Sequence, residues 1–172
     1  MNYYFEVFKK WNVLSGRATR KEYWTFTLIN LAIGVTAGVI SGIFHNLLVA
    51  NTLADIDVVL TAWSLVVIPS AIFALIILIP SICVLVRRLH DTNHNGGWWF
   101  LFYFAYFVPG IFESLSRFLD RSGWLYFFFY YFTFIVFIVI WVIWLVFTLS
   151  DSQPGSNKYG PNPKEQLKQA TV

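Results

Sequence analysis

The chain has 172 residues, of which 58% are hydrophobic, 20% aromatic and only 12% charged. Soluble domains carry about 25% charged residues, so this chain lacks the polar surface to cover a water-soluble fold and reads as a membrane protein. The small net charge of +3 carries meaning only once divided between two sides of a bilayer, and the lone Cys83 excludes an internal disulfide.

In chain order, Tyr4, Val7, Phe8 and Trp11 share one face, with Glu6, Lys9 and Lys10 elsewhere. That pattern predicts an amphipathic helix in the membrane interface. Ser15-Gly16-Arg17 forms a polar turn, and Thr19-Arg20-Lys21-Glu22 fits a capping box, which starts the first spanning helix at Arg20. Tyr23 to Ala50 is a run of 28 residues without Lys, Arg, Asp or Glu. It is too long and too far into the chain for a cleavable signal, so it is expected to stay as an anchor. Within it Gly34, Gly38 and Gly42 recur every fourth residue, a spacing that lets two helices approach closely. The partner is internal or another subunit, and a homo-oligomer or a membrane-protein partner is the expectation left open.

Val58 to Val86 is the second run, with Pro69 and Pro80 about three turns apart and expected to bend it. The connector RRLHDTNHNGG (87–97) follows. Arg87 and Arg88 sit where helix carbonyls carry partial negative charge, which favours cations. They equally suit an anion site, since guanidinium groups grip phosphate or carboxylate with paired hydrogen bonds. Arg17 and Arg20 would join them if the connector folds beside the first helix. His90 and Asp91 are adjacent and cannot easily face each other, so Asp91 is expected to pair with an arginine or with open amides of the turn at Asn93–Gly97. His94 stands four after His90, but the intervening turn residues argue against a helical metal pair. No metal and no cofactor is assigned.

The third run, Trp98 to Phe112, has only 15 residues and ends at Pro109-Gly110. It reads as a short span followed by a break. Ile111, Phe112, Leu115, Phe118 and Leu119 then repeat at helical spacing, with Glu113, Arg117 and Asp120 between them, which predicts a second interfacial helix. Trp124 to Leu149 is a fourth run of 26 residues. The tail lacks a hydrophobic period, and its Gly155, Gly160 and Pro161-Asn162-Pro163 favour turns over helix. A solvated tail is expected; in the alternative, Asn157 and Tyr159 fold back to cap the connector.

The fold class is therefore an all-α integral membrane protein with four transmembrane helices and interfacial helices near the N-terminus and between spans three and four. Residues 1–22 form a cytoplasmic segment, 23–149 the spanning domain and 150–172 a cytoplasmic tail. Orientation follows from Lys and Arg, which are retained inside. With both termini cytoplasmic, ten lie inside and two, Arg117 and Arg121, outside.

Three polar segments then meet one aqueous face: Gly16-Arg17-Ala18-Thr19-Arg20 with Tyr23-Trp24, Arg87-Arg88-Leu89-His90-Asp91 with Gly97-Trp98-Trp99, and Gly155-Ser156-Asn157-Lys158-Tyr159-Gly160 with Pro163. Together they resemble the bacterial inner-membrane family known as domain of unknown function 805, the YhaH-like proteins. The resemblance implies a multi-pass inner-membrane protein and carries no catalytic residues with it. Gly96 departs from the pattern, where a small polar residue such as Ser is expected, and would loosen the turn.

The leading functional expectation is a non-enzymatic protein that binds anionic lipid or a phosphate-bearing ligand through Arg17, Arg20, Arg87, Arg88, His90 and Asp91. A nucleic-acid partner is not expected. One alternative is small-molecule transport through a cavity lined by Asn30, Ser70 or Ser81. Another is an enzyme on lipid phosphate with His90 as base and Asp91 as orienter. The absence of charged residues from the apolar runs disfavours a proton-coupled transporter or an ion channel with a charged lining.

Overall fold

The computed structural model describes residues 2–51, 56–105, 107–116 and 123–169. Among them the protein is all-helical, with seven helices: α1 (Tyr3–Lys9), α2 (Arg20–Asn51), α3 (Ile56–Asp91), α4 (Trp98–Ala105), α5 (Val108–Ser116), α6 (Trp124–Leu149) and α7 (Pro163–Gln169). Three of these contain stretches long and apolar enough to cross a membrane: Arg20–Leu47, Val67–Asp91 and Trp124–Leu149. The chain divides into two units, Met1–Val13 with Lys21–Val84, and Leu14–Arg20 with Leu85–Val172.

In the first unit α1 forms because Tyr4, Val7 and Phe8 lie three and four residues apart and share a face. Tyr4 stacks on Phe26 of α2 at 5.3 Å, and Phe8 meets the same ring edge-on at 5.6 Å. The Tyr4 hydroxyl donates to Asn30 Oδ1 at 3.2 Å, and Asn30 Nδ2 donates to the Phe26 carbonyl. A polar side chain within the first span is thus satisfied by its own helix and by α1. Trp11, expected on the α1 face, lies beyond the helix end and is half exposed. The expected start of the first span at Arg20 agrees with α2, and Thr19 and Glu22 are both buried at that turn. A Cβ built on Gly34, Gly38 or Gly42 meets nothing within 4 Å. α3 runs on through Pro69 and Pro80, and Ser81 Oγ donates to the Ile77 carbonyl of its own helix.

In the second unit the third apolar run forms no single helix of spanning length. α4 is only eight residues long, about 12 Å at 1.5 Å per residue. The chain restarts as α5 at Val108, so the expected break at Pro109-Gly110 falls a few residues earlier, next to Phe107. The reason is local. Pro109 occupies the first turn of α5, where a missing N–H costs nothing and the fixed φ suits a helix start. The proline therefore opens the second piece and does not close the first. Of the expected interfacial helix, Ile111 and Phe112 fall in α5, whereas Arg117, Phe118, Leu119, Asp120 and Arg121 lie outside the described residues, as does Asp55.

Both pieces pack on α6. Trp98 and Phe102 of α4 meet Phe147 near its C-terminal end, at 5.4 and 6.3 Å. Phe112 of α5 meets Tyr126 and Phe129 near its N-terminal end, both at 6.3 Å. The broken segment therefore runs antiparallel beside α6, from Phe147 to Tyr126, about 31 Å of helix at 1.5 Å per residue.

Candidate functional site

The sequence-selected residues gather where the ends of α3 and α6 meet the irregular segment before α2. α3 extends through the arginines, and the turn begins only at Thr92. Asn93 takes a left-handed φ of 62°. Its amide donates to the His90 carbonyl at 3.0 Å and the His94 amide to the Leu89 carbonyl at 2.9 Å. These two bonds are the Schellman closure of a helix, with asparagine in the position glycine most often fills. Asn95 then accepts from the Gly97 amide at 2.9 Å and starts α4.

Asp91 lies between two arginines. Arg17 Nε donates to its Oδ1 at 3.0 Å, and Arg88 Nη1 donates to its Oδ2. All three side chains are 0% exposed. One carboxylate cannot neutralise two guanidinium groups, and the remaining donors go to carbonyl oxygens. Arg17 Nη1 donates to Gly155 O at 2.8 Å and Gly160 O at 3.4 Å, and Nη2 to Gln153 O at 2.6 Å and Asp91 O at 3.4 Å. Arg88 donates to Thr148 O at 3.1 Å and to Ser150 O. Arg20 donates to Leu149 O at 2.9 Å and to the Asp151 carboxylate. The last carbonyls of a helix have no partner within it and carry its negative dipole end. Arg20 and Arg88 together cap α6, and Arg17 holds the tail that follows it. Two readings were open for Arg88, the end of its own helix or an anion site; its donors instead serve the end of the neighbouring α6 and the Asp91 carboxylate.

The tail folds back. The Gln153 amide donates to Asp91 O at 3.0 Å, and Asn157 Nδ2 donates to His90 O at 2.9 Å. Tyr159 stacks on the His90 ring at 3.7 Å, nearly parallel. The capping alternative for Asn157 and Tyr159 is thus the arrangement present, and a solvated tail is not. α7 stands where the sequence predicts turns, although its signal is legible. Asn162-Pro163-Lys164-Glu165 combines a cap residue, a proline at the first helical position and a glutamate three later. In the structure Asn162 Oδ1 accepts from the Lys164 amide at 3.0 Å and its Nδ2 donates to Glu165 at 3.1 Å.

His90 Nδ1–H donates to the Gly16 carbonyl at 3.2 Å, so a neutral ring carries its proton on Nδ1, and burial, opposed by this bond, holds the His90 pKa below its usual value. His94 turns away, bonded to Thr92 Oγ1 at 2.9 Å and stacked on Phe147 at 3.9 Å. No group of three His, Cys, Asp or Glu among the described residues could hold a metal. Gly96 does not loosen the turn. It is buried, and a Cβ there would fall 2.7 Å from Val86 Cγ1 and 2.9 Å from His90 Nε2. Arg87 is buried too, and its carbonyl accepts from the Ala18 amide at 3.0 Å. Of the six selected residues, Arg17, Arg87, Arg88 and Asp91 are interior, His90 is half-buried under Tyr159, and only Arg20 reaches solvent substantially. Beside it Asp151 also binds Lys164 Nζ at 2.8 Å. The Lys164 bond first, and then the Arg20 charge, hold the Asp151 carboxyl below its usual range.

No solved structure matches the chain. The inner membrane protein YhaI of Escherichia coli strain K12 is 32% identical over 164 residues, covering 95% of this chain and 97% of the relative. The inner membrane protein YhaH of the same strain is 27% identical over 164 residues, covering 95% and 98%. These relatives and the apolar helices assign the chain to the bacterial inner membrane. A family model described as protein of unknown function (DUF805) matches residues 12–119, which include Arg17, Arg20 and the whole RRLHD connector, and the chain belongs to that family.

Proposed function

We propose that the protein is a four-crossing, non-enzymatic inner-membrane protein with both termini cytoplasmic, and that its clamped helix ends engage phosphate-bearing anions, above all anionic lipid headgroups. The fourth crossing is supported by parity. The C-terminal ends of α3 and α6 share the clamp, so the chain between them must traverse the bilayer once if α6 does. The broken α4–α5 segment lies along about 31 Å of α6, close to the roughly 30 Å of a hydrocarbon core. The cytoplasmic assignment rests on the ten Lys and Arg that it places inside.

The observation that carries the anion reading is a division of labour among the cations. Arg17 and Arg88 are fully buried and bonded within the chain, so they build the framework and do not meet ligand directly. Arg20 and Lys164 stay 39% and 40% exposed at the rim, where a headgroup can reach them. Basic residues immediately beside spans attract anionic lipid. The transport alternative loses one of its lining residues, because Asn30 is occupied by Tyr4 and Phe26.

Native mass spectrometry of the detergent-released protein tests the reading. The Arg20→Gln/Lys164→Gln variant is expected to lose co-purifying anionic lipid, and retention equal to wild type would reject the proposal. Topology is checked separately in a Cys83→Ser background. Impermeant thiol reagents applied to intact spheroplasts should label Gly123→Cys and spare Ser156→Cys, and labelling of both would remove the shared face.

A further inference from the structure

We infer that the Asp151 carboxylate is an internal stand-in for a phosphate group, occupying the site that Arg20 and Lys164 form and restraining its affinity for external anions. The inference rests on the anion reading above and adds how that site is regulated. Arg20 and Lys164 come from opposite ends of the sequence, and both bond the same oxygen, Asp151 Oδ1. Each cation is positioned by a second contact. Arg20 Nη1 is tied to the Leu149 carbonyl at 2.9 Å, and the Lys164 backbone amide to Asn162 Oδ1 at 3.0 Å. The pair is therefore preset around one anionic oxygen.

The location suits a phosphate. Arg20 is the first residue of α2, and Asp151 comes two residues after α6 ends, so the carboxylate stands just beyond the end of a span. It is 72% exposed, unlike the sealed Asp91. Exposed ion pairs are weak and exchange with solutes. A phosphate offers more charge-assisted acceptors than one carboxylate oxygen and can engage both cations at once. The described side-chain bonds of Asp151 are the two to Arg20 and Lys164, neither of which belongs to the buried Arg17–Asp91–Arg88 group, so it can yield without opening the buried clamp.

The test titrates phosphatidylglycerol against the full-length protein in phosphatidylcholine nanodiscs and reads apparent affinity. Asp151→Asn is expected to tighten binding about three- to tenfold, as for loss of one or two exposed competing pairs. Asp151→Glu, which keeps the carboxylate, should stay near wild type. Unchanged or weaker binding by Asp151→Asn, with binding lost in Arg20→Gln/Lys164→Gln, overturns the stand-in role and leaves the anion reading intact. Wild-type binding by the double variant overturns the reading itself. Inorganic phosphate, added as competitor, separates the two sources of this chemistry: displacement of the lipid assigns the site to free phosphate, and failure to displace it assigns it to the headgroup.

Discussion

Replacing Asp91 with asparagine keeps the shape of the side chain and removes its charge from between two arginines. Arg17 and Arg88 both point at this carboxylate, and none of the three side chains touches solvent. Asparagine retains one acceptor oxygen but turns an N–H₂ toward the second guanidinium, which itself only donates. Two buried positive charges then face each other without a counter-charge. Removing one member of a buried ion pair costs about 3–5 kcal/mol, a large share of the roughly 5–15 kcal/mol that stabilises an ordinary domain. The folded-to-unfolded ratio of the clamp should fall by about 10²- to 10⁴-fold at ~1.4 kcal/mol per decade. The assay is unfolding in mixed micelles of rising dodecyl sulfate content, followed by proteolytic release of the tail. Because the triad is sealed, 0.5 M salt should not reproduce the loss, whereas it should weaken the open Arg20–Asp151–Lys164 group. A variant within about 0.5 kcal/mol of wild type would refute the idea that Asp91 holds the clamp together.

Tyr159→Ala removes the stack on His90 and should weaken the tail by about 1 kcal/mol, seen as faster hydrogen exchange at the Gln153 and Asn157 amides with the spans unchanged. Gly96→Ser forces a Cβ against Val86 and His90, which are held by burial and by the Gly16 carbonyl. Overpacking of this kind costs about 1–3 kcal/mol, readable in the same micelle assay. Asp151 titrates below its usual range when folded, so its stabilising effect is complete above the ordinary carboxylate pKa of about 3.9 and is lost as pH falls through the lowered folded value. A dye on Ser156→Cys in the Cys83→Ser background should report this acid-induced loosening, and Asp151→Asn should remove it.

Much of this arrangement is legible in the residues. The long apolar runs mark α2, α3 and α6, the capping pattern sets Arg20 as the start of α2, and the adjacency of His90 and Asp91 sends the carboxylate to an arginine. The tail motif pointed to a fold-back, but only as an alternative, because turn residues alone do not say what they fold onto. Other features depend on distance in space. Nothing in the sequence says that Arg88 caps α6 and not its own helix, or that Gly96 has no room for a side chain. The sequence puts the break at Pro109 and the structure puts it before Val108, because a proline stops one helix and starts the next with equal ease. Asn162 and Glu165 announce α7, but a single turn of capping is faint beside the turn-forming Gly155, Gly160 and Pro161-Asn162-Pro163.

The grip of Arg17 on the Gln153, Gly155 and Gly160 carbonyls links positions 136 to 143 apart in sequence. At a synthesis rate of ~5–20 residues per second, the first partner waits roughly 7–30 s for the last to leave the ribosome. Asp91, 74 residues away, emerges sooner and can take the Nε of Arg17, but the donors meant for the tail must until then rely on water, insertion machinery or passing phosphates. A polypeptide whose translation stops before residue 153 never completes the ring of acceptors, so it would present quality-control proteases with a loose, cationic end that the finished molecule conceals.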